Sequence, residues 1–201
     1  MFSVAEGYGT TASGYASHAE GENTIAEGDW SHAEGKETAA SGEYSHAEGC
    51  DTTASSTYSH AEGKEATASG YVSHAEGGNT TASGEYSHAE GYETTASSDF
   101  SHAEGFHTIA ASYYQHAQGK FNIEDTNDKY AHIVGNGTSG SVRSNAHTLD
   151  WDGNAWFQGG IKVGGISQDD TNAKEVAITE YVDNAVAQKS QVQIITWEAD
   201  D

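Results

Sequence analysis

The chain has 201 residues, 35% of them hydrophobic, with eight basic side chains against 31 acidic ones and a net charge of −23 at pH 7. So large an acidic excess excludes the basic surface that nucleic acids and anionic membranes require, and no apolar run approaches the roughly 18–20 residues of a membrane span. A lone cysteine, Cys50, excludes an internal disulfide framework.

The N-terminal stretch "MFSVAEGYG" lacks the basic and apolar regions of a signal peptide and already reads as part of a repeat. From there to Gly119 the chain repeats every fourteen residues. His18, His32, His46, His60, His74, His88, His102 and His116 keep that spacing. So do alanines from Ala12 to Ala110 and glutamates from Glu6 to Glu104, with Gln118 in the next place. The unit reads Tyr-Ser-His-Ala-Glu-Gly-x-x-Thr-Thr-Ala-Ser-Gly-x. Fourteen residues are too few for helical repeats, which run to about 33 or more. They suit one coil of a β-solenoid with two short strands and two turns. Gly21, Gly35, Gly49, Gly63, Gly77, Gly91 and Gly105 mark one corner. Gly14, Gly28, Gly42, Gly70 and Gly84 mark the other, with Ser56 and Ser98 replacing glycine. Left-handed backbone is expected at these corner glycines. The absence of proline agrees with strand ladders that need every N–H. Low hydrophobicity with high charge would otherwise suggest disorder. The strict period and the tyrosines point instead to stacked coils, each burying its neighbours' faces.

Strand side chains alternate between faces, so Ser45, Ala47 and Gly49 share one face and Tyr44, His46 and Glu48 the other. "HAEG" and "TASG" both read x-Ala-x-Gly, seven residues apart. That half-repeat places the small residues inside a narrow coil and turns the Tyr-His-Glu face outward. An aromatic column runs along it: Phe2, Trp30, Tyr44, Tyr58, Tyr86, Phe100, Tyr114 and Tyr130, with Ala16 and Val72 as smaller members. A continuous exposed aromatic stripe usually marks an interface. Trp30, Tyr44, Tyr58, Tyr86, Phe100 and Tyr114 are therefore expected to contact identical chains around a three-fold axis.

Three readings of the eight histidines compete. In the preferred one, each imidazole hydrogen-bonds a glutamate, a tyrosine hydroxyl or another histidine, giving a satisfied polar ladder. In the second, rings of three histidines on the three-fold axis hold a zinc, nickel or iron ion. In the third, the column is a pH switch near pH 6.5, of a sign that the neighbouring glutamates leave open. No metal site and no cofactor is assigned. Serine and histidine are adjacent in each unit but point to opposite faces, so no Ser-His nucleophile forms. The repeated glutamates single out no catalytic pair. No catalytic residue is assigned, and the chain is expected to be non-enzymatic. Threonines come in adjacent pairs instead of the Thr-x-Thr array an ice-binding face would need. The variable corners Glu22-Asn23, Lys36-Glu37, Cys50-Asp51, Lys64-Glu65, Gly78-Asn79, Tyr92-Glu93 and Phe106-His107 are the candidate exposed turns.

After Gly119 the period breaks. Residues 1–119 form the repeat body, 120–166 a capping coil and hairpin region, 167–189 a helix and 190–201 an acidic tail. In "KFNIEDTNDKYAHIVGNG", His132 follows His116 by sixteen residues, as if a corner were lengthened by two. Asp152-Gly153 between alternating runs signals a hairpin. Leu149, Trp151, Trp156, Phe157, Ile161 and Val163 are expected to form an apolar cluster there, with His147 structural. In "SQDDTNAKEVAITEYVDNAVAQK", Ile178, Val182 and Ala185 follow helical spacing, and a short three-stranded bundle would bury them between chains.

"SVAEG" and "SHAEG", followed by "TTASG", resemble the head repeats of trimeric autotransporter adhesins, over residues 1–119. The resemblance implies a left-handed parallel β-roll in each of three chains. His and Glu stand where that family carries large apolar residues, which pack inward. The half-repeat points them outward, and the outward reading is preferred. "SNAHTLDWDGNAWFQGGIKVGG" with the helix containing "TEYVDNAV" resembles C-terminal regions of phage and prophage tail or fibre proteins, over roughly residues 130–190. The expected fold is thus all-β with a short C-terminal helix: a trimeric β-roll, then hairpins and a helical bundle. The leading functional expectation is a structural phage or prophage fibre or tail-tip component for host attachment. The alternative is the head of a bacterial surface adhesin. The location would be the virion or the cell surface. Partners would be the chain itself as a homotrimer, a host receptor or glycan, and other virion tail proteins, with no nucleic acid and no membrane insertion.

Overall fold

The computed structural model describes residues 2–160, which are all-β. Each coil contributes one five-residue strand and one two-residue strand. The long strands, from Val4–Tyr8 and His18–Glu22 to His116–Lys120, stack parallel and in register. Histidine lies over histidine, alanine over alanine and glutamate over glutamate. The short strands, from Thr11–Ala12 to Ile109–Ala110, form a second, 8-stranded parallel sheet. The fourteen-residue period is therefore one coil. About ten coils stack, the last through Tyr130–Asn136. There His132 pairs with His116 in register, so the two extra residues are absorbed in the connection.

The interior is as thin as the half-repeat requires. The alanines from Ala19 to Ala117 on the long strands and from Ala26 to Ala110 on the short ones are fully buried, in one continuous cluster. A methyl group contributes only about 0.8 kcal/mol on burial, so most cohesion comes from strand ladders and corner hydrogen bonds. Ser17, Ser31, Ser45, Ser59, Ser87 and Ser101 turn their hydroxyls inward. Each donates from Oγ to the carbonyl three residues earlier, at 2.6–2.9 Å. Thr24, Thr38, Thr52, Thr80, Thr94 and Thr108 are also buried, which takes that threonine column off the surface.

The corners differ from expectation in one respect. The glycine after each long-strand glutamate is left-handed, with Gly49 at φ 109°. A Cβ there would collide with the Gly63 carbonyl of the next coil. The other corner glycines, such as Gly28 and Gly42, are not left-handed. That corner turns instead at the residue two positions on, where the aromatic column sits: Trp30, Tyr44, Tyr58, Tyr86, Phe100 and Tyr114 lie at φ 55–58°. The long strand begins only at the histidine, so the aromatics occupy the turn and not the strand face.

Where the period ends, buried amides replace the repeat. Asn122, fully buried, accepts from the Ile109 N–H and donates to the Ile109 carbonyl. It thereby imitates the next short strand. Gln115 stands in the buried serine column, accepts from the Ala111 N–H and donates to Asp125 and to the Tyr130 carbonyl. Asp125 in turn accepts from the Lys129 and Tyr130 N–H groups. Ile133 is the largest fully buried side chain among the described residues. Beyond it, Asn145–Asp150 and Ala155–Phe157 pair antiparallel. Asp150 folds the connecting loop by accepting from the Asp152 and Asn154 N–H groups. The hairpin is as expected; among the described residues of its expected apolar cluster, Trp151, Trp156 and Phe157 are exposed, while Asn145 and Thr148 face the buried side. His147 packs beside Phe157, with centroids 4.5 Å apart. Ile161, Val163, the 167–189 helix with Ile178, Val182 and Ala185, and the 190–201 tail lie outside the described residues. No helix is present among those described.

Candidate interaction face

Parallel, in-register stacking turns one histidine per coil into a column of imidazoles. From His18 to His116 successive rings stack 4.7–4.9 Å apart and nearly parallel, within 13°. That is the strand spacing itself. Because alanine occupies the inward position, the histidines and glutamates project out of the coil. The outward reading of the half-repeat is thereby established. The inward packing implied by the resemblance does not hold for these two columns.

The polar ladder is not satisfied within one chain. Glutamate carboxylates lie near the Nε2 atoms of His18, His46, His74, His88, His102 and His116, with His46 Nε2 at 3.8 Å from both Glu34 and Glu48, His88 at 3.5 Å from Glu76 and His116 at 3.4 Å from Glu104. None forms a hydrogen bond. The Nε2 atoms of His32, His46, His60, His74, His88, His102 and His116 are inaccessible and unpartnered. At the last level Gln118 replaces glutamate, and its amide reaches His132 Nε2 at 3.0 Å. For His46, His74, His102 and His132 desolvation is the first cause of a lowered pKa, and the neighbouring histidines are the second. Glu34 and Glu48 oppose this at His46 without reversing it.

Alongside runs the aromatic column. Trp30, Tyr44 and Tyr58 stack face to face at 4.9–5.0 Å, as do Tyr86, Phe100 and Tyr114 at 4.9–5.1 Å. All six are 42–61% exposed. Two coils lack an aromatic at this position, Ala16 and Val72. In both the preceding residue is a tyrosine, and its ring covers the gap edge-on. Tyr71 lies 6.0 Å from Tyr58 and 5.5 Å from Tyr86, and Tyr15 lies 5.5 Å from Trp30. The sequence reading missed Tyr15 and Tyr71. The signal was there: in coils with the smaller member of the column, an aromatic stands one place earlier. The opposite corner carries a second, local aromatic group of Tyr92, Phe106, His107 and Phe121. His107 Nδ1 lies 2.8 Å from Glu93.

A strip of stacked imidazoles and carboxylates beside a strip of stacked aromatics offers chemistry for contact, repeated at every level. Among the described residues no catalytic pair is distinguished from its copies. Two stretches, residues 5–29 and 61–87, match the YadA head domain repeat. No curated protein matches the chain. The repeats of residues 5–29 and 61–87 are thus of the trimeric autotransporter adhesin head type.

Proposed function

We propose that the chain forms a non-enzymatic, cell-surface adhesin head. Three copies associate through the histidine-glutamate and aromatic columns, leaving the variable corners to meet a host receptor or glycan. The match to the head repeat supports the adhesin reading over the phage fibre or tail-tip expectation. No structural feature of the described residues specifically favours the phage reading.

One observation carries the trimer: the aromatic column stays unbroken although it is held in an unfavourable backbone. Bulky residues with left-handed φ are outliers, and such strain persists where surroundings compel it. Here it recurs at every coil and leaves six large rings in solvent. An alanine core gives each coil little apolar burial of its own, so covering this stripe is a large hydrophobic gain for the described residues. Light scattering of the purified chain tests the reading. The expected mass is three times the 21.1 kDa of one chain. A folded species of single-chain mass overturns it.

A further inference from the structure

We infer that the outward face of each chain holds three sites for a divalent transition-metal ion. Each is built from two histidines of successive coils and the glutamate between them: His32-Glu34-His46, His74-Glu76-His88 and His102-Glu104-His116. Within each set one ligand atom per residue lies within 4.8 Å of the others.

Three observations converge on this. First, each of these six histidines presents an Nε2 that is inaccessible and has no hydrogen-bond partner. With the proton on Nδ1, such an Nε2 offers a lone pair, which a metal ion accepts. Second, the Nε2-to-carboxylate distances are too long for hydrogen bonds but suit two ligands of one ion, and the paired imidazoles, stacked 4.7–4.9 Å apart, need only turn toward each other to close on it. With bonds of about 2.0–2.2 Å, tetrahedral ligand atoms stand about 3.4 Å apart. His116 and Glu104 are at 3.4 Å, and His88 and Glu76 at 3.5 Å. Third, the glutamate column lines a groove along the same face, through Glu48, Glu62, Glu76, Glu90 and Glu104, and the whole chain carries −23. That field concentrates cations.

The donor set selects the ion. Two imidazoles and a carboxylate suit zinc, nickel or cobalt, whereas calcium and magnesium want oxygen ligands throughout. Three protein ligands leave coordination positions open to water. Each Nε2 has one lone pair, so neighbouring sites cannot share a histidine, and these three sets share none. His60 and His18 remain, each with two glutamates and no second imidazole. These sites lie within one chain and do not depend on a three-fold axis or on the adhesin reading.

Zinc titration of the full chain by calorimetry, after chelator treatment and removal of the chelator, tests the proposal. Three ions per chain are expected. Cobalt should bind in the same number and give the visible absorption of nitrogen-containing, low-coordinate sites. Glu76→Gln should remove one ion and a third of the cobalt absorption. Glu65→Gln, at an outer corner beside Lys64, should remove none. If Glu76→Gln fails to fold by circular dichroism, His88→Gln replaces it with the same expected loss. A wild-type chain that retains no zinc overturns the proposal, as does a folded variant with unchanged stoichiometry and spectrum.

Discussion

At Val72 the chain asks a β-branched residue to adopt φ 54°. Branching at Cβ makes left-handed backbone costly, about 1–2 kcal/mol more than for asparagine or glycine. The side chain is partly exposed, and Tyr71 already fills its place in the aromatic column. Val72→Asn should therefore stabilise the fold by about 1 kcal/mol. Thermal denaturation of the two proteins checks this, and a lower melting temperature for the variant would count against the strain argument. The same logic separates the two kinds of corner glycine. Gly49 is needed for its φ and for the close approach of Gly63, whereas the turn beside Gly42 takes its left-handed residue from Tyr44.

At the scale of the strand, imidazoles stacked at 4.7–4.9 Å repel one another wherever adjacent rings are both protonated. His46 faces His32 and His60 along the column, with Glu34 and Glu48 beside it. Desolvation and the neighbouring imidazoles lower its pKa below the ordinary 6.5, as they do for His74 and His102. A folded pKa below the unfolded one means that the unfolded chain binds protons first as pH falls. The stabilisation is then complete above about pH 6.5 and is lost progressively below it. Melting temperatures in chelator should fall between pH 8 and pH 5.5, a window in which carboxylates with pKa near 4.3 stay mostly ionised. Equal or rising values would contradict the neutral stack. The coil, the register and the inward alanines were legible in the sequence, because a strict period with an x-Ala-x-Gly half-repeat admits one parity of side chains. The aromatics' place in the turn was not legible. Alternation says where a strand side chain points but not where the strand begins, and the strand begins at His46, two residues after Tyr44. The missing hydrogen bonds of the Nε2 atoms were likewise hidden, since sequence gives adjacency without distances.

For the whole molecule, the alanine interior and the polar cap of Gln115, Asn122 and Asp125 make a stack that leaves the aromatic column unburied among the described residues. The central claim is that copies of the chain meet on that column. The most direct measurement is the mass in solution of a variant with Tyr44, Tyr58, Tyr86 and Phe100 all replaced by asparagine. Asparagine accepts left-handed backbone readily, so the coils should remain folded. The account predicts a trimer for the parent chain and a single-chain mass for the variant, with the β signature in circular dichroism retained. A folded variant that keeps the parent's mass would place the contact elsewhere and contradict the account.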